Sequence, residues 1–276
     1  MSQGILGQLE PLKLKFGICP SERAAVLYRQ LTPVLDAITK PIENQLKQDV
    51  EIELHIFENY SNGIKSLVDG SIDFCRLEPA SYVLAEMQNE NIDLLAMELQ
   101  KGLKRINGVI ITQRDSGIKE LADLRNKTFA FGEEHSTIGR FLAQSELVNN
   151  NITSEDLKHF WHFDRHDLVA HAVLANKYDA GAISADTYKK YCDPEEVLVV
   201  KAFENVTKPW VSRENLPEAF KVAITAALLT LEASEVLLEI NCSGFIEGTP
   251  EEYDLVRNAI KHAENFYPKL EEPEGE

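Results

Sequence analysis

Residues 128–140 bring together groups suited to holding an anion. An apolar run, Phe129, Ala130 and Phe131, stops at Gly132. A short polar turn leads to Ser136 and Thr137, and Phe141, Leu142 and Leu147 then recur at helical spacing. The pattern predicts a strand feeding a helix whose first turn carries two hydroxyls and Gly139. The first N–H groups of a helix lack internal partners, and the helix dipole puts partial positive charge there. Such a turn suits phosphate, phosphonate or carboxylate. The alternative is a serine that only caps its helix, as serines commonly do.

Other residues carry similar alternatives. The Tyr60 phenol could donate to an oxyanion or pack as an amphipathic surface tyrosine. His166 could donate to an anion with charge assistance, or cap a helix with Asp167 in its first turn. Arg23 has the fork geometry for an oxyanion, but a solvated helix arginine fits as well. His159, His162, His166 and His171 lack the helical pair and supporting acid of zinc enzymes, so no metal is expected. No Gly-x-Ser-x-Gly elbow, P-loop or dinucleotide fingerprint occurs, and no cofactor is expected.

Composition narrows the classes further. The 276 residues carry a net charge of −17, which argues against a nucleic-acid binder or an anionic-membrane binder. A small anion is still allowed, because a helix terminus acts locally. Cys19, Cys75, Cys192 and Cys242 are widely spaced, which suggests neither a disulfide framework nor a zinc site. Residues 1–10 lack the basic flank and apolar stretch of a signal peptide, and no later run is long and apolar enough to span a membrane. A cytoplasmic protein and an exported one whose leader is not part of this sequence both remain open. The acidic end, residues 270–276, reads as frayed.

The elements that must position these groups alternate between strand and helix. Strands are predicted at 12–18, 51–57, 72–77, 94–99, 108–112, 128–131, 158–163, 180–184 and 196–202. Helices are predicted at 23–46 (interrupted near Pro33 and Pro41), from Asn59 or Ser61 to Gly70, and at 79–87, 118–124, 137–148 and 166–175. Two more follow at 217–240 and 250–266. Alternation of this kind predicts an α/β fold of two lobes, each a mainly parallel sheet flanked by helices, with a ligand cleft between them. The expected division is 1–106 plus 207–276 for the first lobe and 107–206 for the second, with hinges near 104–110 and 200–207.

From about Leu14 to Ile260 the sequence resembles the phosphonate/phosphate/phosphite-binding proteins of ABC transporters, which have the type 2 periplasmic-binding-protein fold. The resemblance rests on the order of many short pieces. They include 14–18, Tyr60 before a helix ending at Asp69 and Gly70, 72–74, 115–125, and Phe129–Gly132 with Ser136–Gly139. His166 with Asp167, 172–175, 178–182, Pro209 with Trp210, and Phe245 with Thr249 and Pro250 follow in register. The resemblance implies capture of an oxyanion by lobe closure, with Ser136, Thr137 and Gly139 in the anion turn, Tyr60 from the first lobe, and His166. Two positions depart from the family pattern: Ile138 replaces a third hydroxyl, and Ile106 stands where a tyrosine is usual. Arg76 and Glu78 occupy positions usually small or uncharged in relatives. They could recognise a zwitterion or pair with each other.

The expectation is therefore a non-enzymatic, periplasmic solute-binding protein with a small phosphonate-, phosphate- or phosphite-like ligand and an ABC permease as partner. No nucleic-acid binding and no membrane insertion are expected. A cytoplasmic enzyme or ligand sensor on the same scaffold is the alternative, because fold does not fix function. A partner-binding module with a degenerate pocket is also allowed by Ile106 and Ile138.

Overall fold

The computed structural model describes residues 10–20, 23–231 and 235–268. The readings made above for the N-terminal start and the acidic end lie outside these. The chain opens with β1 (Leu12–Ile18), α1 (Ala24–Leu46), β2 (Val50–Ile56), α2 (Tyr60–Val68), β3 (Phe74–Arg76), α3 (Pro79–Glu86) and β4 (Asp93–Leu99). It crosses into β5 (Arg105–Gln113), β6 (Thr128–Phe131), α4 (Ala143–Asn149), β7 (His159–His162), α5 (His166–Leu174), β8 (Ala180–Ser184), α6 (Ala185–Tyr191) and β9 (Val197–Val206). It returns as β10 (Pro209–Ser212), α7 (Glu218–Leu229), α8 (Glu235–Glu239), β11 (Gly244–Ile246) and α9 (Asp254–Ala263).

Two mixed sheets result, in the orders β11-β4-β10-β3-β1-β2 and β7-β6-β8-β5-β9. β1, β2 and β3 run parallel, as do β6, β7 and β8. Antiparallel to these run β10 and β5, which enter each sheet directly from the other lobe, and β11, which pairs with β4 at the edge. A strand arriving by a direct crossing, without a helical return, meets its neighbours head to tail. The predicted two-lobed α/β architecture is therefore present.

Each sheet is covered on both faces. Leu14, Phe16 and Ile18 alternate inward on β1, and Phe16 stacks on Trp210 at 4.9 Å. α1 and α7 cover that face, and α2, α3 and α9 cover the other around Tyr82 and Tyr253. In the second lobe Phe129 and Phe131 pack with Leu142 and Phe266, while Val169 and Val173 of α5 close the opposite face.

Three differences from the sequence reading have physical causes. α1 is unbroken through Pro33 and Pro41. Both prolines lie off its buried stripe of Leu27, Leu31, Val34, Leu35, Ile38 and Ile42, so water can reach the carbonyls they orphan and core packing carries the helix. β5 and β9 extend to Arg105 and Val206 because the two crossings run side by side and pair with each other, Arg105 opposite Val206. The helical stretch expected at 217–240 is two helices, α7 and α8. The C-terminal α9 also serves both lobes. Val256, Ile260 and Ala263 face the first lobe's core, whereas Ala259, with Phe266 just beyond the helix, joins the second's.

Candidate ligand-binding site

A cavity of about 450 Å³ lies between the lobes, lined from both. Its most organised corner is built by β6, α2 and α5. β6 ends at Gly132, and Gly132 N–H donates to Gly139 C=O at 2.7 Å. A Cβ on Gly139 would stand 2.6 Å from the Gly132 Cα, so the two glycines permit a backbone-on-backbone approach that fixes the following turn. That turn, Thr137–Leu142, is a wide π-type coil leading into α4. Ser136 is its N-cap, its Oγ accepting from Gly139 N–H at 3.0 Å. Ser136 Oγ also lies 3.4 Å from His166 Nε2.

His166 opens α5 and is not a capping side chain; the cap position is Arg165. Its Nδ1 accepts from Ser184 N–H at 3.2 Å, which places the ring proton of the neutral tautomer on Nε2, facing Ser136. Burial is the main cause that pushes the imidazole pKa down to about 4, against an opposing pull from Glu78. His166 is thus a neutral donor at pH 7, not the charged one its type suggested. Tyr60, first residue of α2 behind the Asn59 cap, is 6% exposed and lines the same cavity. Burial first, then Glu78, Cys19 and Glu133, raises its phenol well above the usual value, so it keeps its proton.

The other expected residues are placed differently. Thr137 Oγ1 accepts from Ala80 N–H at 2.9 Å, the first turn of α3 in the other lobe, so its hydroxyl bridges the lobes. Gly139 contributes close packing and its N–H to Ser136. Arg76 and Glu78 both line the cavity, yet they do not pair with each other. Arg76 forks onto Glu98 through Nε at 2.5 Å and Nη2 at 2.9 Å, and Nη2 also donates to Ile240 C=O at 3.1 Å. Trp210 Nε1–H donates to the same Glu98 carboxylate at 2.9 Å. Glu78 is paired with Lys208 at 2.6 Å. Burial would raise the Glu78 carboxyl, but Lys208, joined by Arg76 and His166, holds it below the usual range. Arg23 is exposed and does not line the cavity. Ile106 and Ile138 do line it, as apolar wall where hydroxyls were expected.

Several lining residues were not singled out from sequence: Glu133, Asp164, Asp186, Asn205 and Lys208. Single polar residues, Asp186 on α6, Asn205 on β9 and the rest on connections, carry no periodic signature, and only the meeting of the two lobes gathers them. No cluster of metal-ligating side chains occurs among the described residues, and none of their helices is long and apolar enough to cross a membrane. All four cysteines are buried and free.

Comparisons with known proteins bear on the fold and on the family. A family model described as the periplasmic phosphonate substrate-binding protein of ABC transporters matches residues 16–253. The probable ABC transporter phosphite-binding protein PhnD1 of Prochlorococcus marinus is 25% identical over 267 residues, covering 88% of this chain and 87% of that protein. The structure of that organism's PhnD1 with methylphosphonate superposes with a TM-score of 0.76 at 20% identity, covering 91% and 98% of the two chains. The binding-protein component of an ABC phosphonate transporter from Pseudomonas aeruginosa gives 0.78 at 18% identity, covering 92% and 87%. At these identities the structural matches establish the fold, and the family match, spanning most of the chain, establishes kinship: the protein belongs to the phosphonate periplasmic substrate-binding protein family of ABC transporters.

Proposed function

We propose that this protein captures a phosphonate- or phosphite-like oxyanion between its lobes in the periplasm and delivers it to an ABC permease, with no catalysis of its own. The observation that carries the ligand class is the corner of Ser136 Oγ, His166 Nε2 and the Tyr60 phenol on one cavity wall. All three are neutral donors, and the N–H groups of Thr137 and Ile138 in the same first turn would add to them. Neutral, preorganised donors stabilise an anion without requiring a counter-charge. Thr137 would contribute through its backbone, since its hydroxyl is engaged with Ala80.

Around that corner the cavity has seven carboxylates against four cations, and Arg76, Lys208 and Arg165 each hold a carboxylate already. The cavity is also several times the size of a bare oxyanion, given that water occupies about 30 Å³ in the liquid. Both features favour a ligand with a positively charged substituent over phosphate itself. The lobes we assign are 1–106 plus 207–276 and 107–206, with α9 shared between them.

A thermal-shift screen against phosphate, phosphite, methylphosphonate, 2-aminoethylphosphonate, sulfate and small carboxylates tests the reading. A ligand at 100 times its Kd stabilises by about 2.7 kcal/mol. A shift with a phosphorus oxyanion that is lost in His166→Ala supports the assignment. No shift with any phosphorus oxyanion refutes it.

A further inference from the structure

Next to the cavity, on the flank formed by β4 and β11, one carboxylate joins the lobes. Asp186, in the first turn of α6, accepts at Oδ2 from Asn241 Nδ2 at 2.7 Å and from Gln100 Nε2. Both donors belong to the first lobe, and all three residues line the cavity. We propose that Asp186 is a positioning residue for ligand capture: by holding Gln100 and Asn241 it clasps the lobes shut and sets how fast a bound ligand leaves.

The donors are presented by stiff turns. Gln100 and Leu103 exchange backbone hydrogen bonds at 2.8 and 3.0 Å across a two-residue loop, Lys101 and Gly102, with φ of 53° and 75°. Gly102 N–H is tied to Ser243 Oγ at 2.9 Å. Asn241 sits at φ 57° just after α8, a left-handed position that asparagine tolerates well. The acceptor side is equally ordered. Ser184 caps α6 through Thr187 N–H at 3.1 Å, and its own N–H holds His166 Nδ1. The segment that carries the clasp therefore also orients the His166 ring. Both bonds are assisted by the charge of the Asp186 carboxylate, and the exposed edge at Asn241 lets water replace them when the lobes part, as a reversible closure requires.

The test begins without ligand. Small-angle scattering of ligand-free Asp186→Ala should show a larger radius of gyration than wild type. With methylphosphonate as probe, stopped-flow fluorescence should show dissociation about tenfold faster, because the ligand leaves only through the lobe opening that the clasp opposes. Gln100→Ala combined with Asn241→Ala should reproduce both effects, and adding Asp186→Ala should change neither further. That pair also decides the matter if Asp186→Ala fails to fold. Superimposable scattering curves overturn the clasp, and opening without faster release overturns its control of release. If methylphosphonate fails to bind wild type, the ligand assignment falls, while the scattering still decides the clasp.

Discussion

Replacing Ser136 by alanine separates the two things its hydroxyl can do. Ser136 Oγ accepts from the buried Gly139 N–H at 3.0 Å and stands 3.4 Å from His166 Nε2. Losing the cap costs ~1 kcal/mol of folding stability. For a chain of this size that lowers Tm by roughly 2–4 °C. Losing a hydrogen bond to a bound anion costs ~1.5–3 kcal/mol, or roughly 10- to 150-fold in Kd. Thermal denaturation of the ligand-free variant reads the first effect, and calorimetric titration with methylphosphonate or phosphite reads the second. Ser136→Thr, which keeps the hydroxyl, should recover most of both. A lowered Tm with Kd within twofold of wild type would show that Ser136 is a helix cap and nothing more, and the anion corner would have to be rebuilt around other groups.

Further predictions concern charge and packing. His166 titrates at about 4 in the folded state and near 6.5 when free, so folding excludes its proton between these values. Its contribution is fully present above pH 6.5 and is lost as pH falls to 4, up to roughly 3 kcal/mol. His166→Gln should flatten that part of the stability–pH curve, and parallel curves for the two proteins would refute the burial argument. Arg76→Met strands the Glu98 carboxylate in the core and should cost ~3–5 kcal/mol in chemical denaturation, with a loss under 1 kcal/mol counting against an obligate pair. Gly139→Ala drives a Cβ onto the Gly132 backbone and should destabilise by ~1–3 kcal/mol; a neutral outcome would mean that the turn has room to shift.

Much of this protein is legible in its sequence. Strand and helix periodicities locate nearly every element of both lobes, because alternation and helical spacing are short-range properties of the chain. The exceptions include α6, where no helix was expected, and 118–124, where the expected helix is a single 3₁₀ turn at Leu121–Leu124. β10 and β11 are only four and three residues long, too short for any periodic signal, and they exist because a neighbouring strand offers an edge. Helix α1 ignores its prolines because their cost falls on the solvent side.

The proposed anion corner divides in the same way. The sequence by itself determined a hydroxyl-bearing helix start at Ser136, a tyrosine at the head of α2 and a histidine at the head of α5, since caps and strand ends are local. Only the tertiary structure decided what those groups face. It turned Thr137 Oγ1 to Ala80, 57 positions away, gave Arg76 to Glu98 and Glu78 to Lys208, and set the partly buried His166 where desolvation favours the neutral ring. Partners of polar side chains are chosen by chain crossing and by the cost of leaving a buried charge unmet, and neither is written in neighbouring residues.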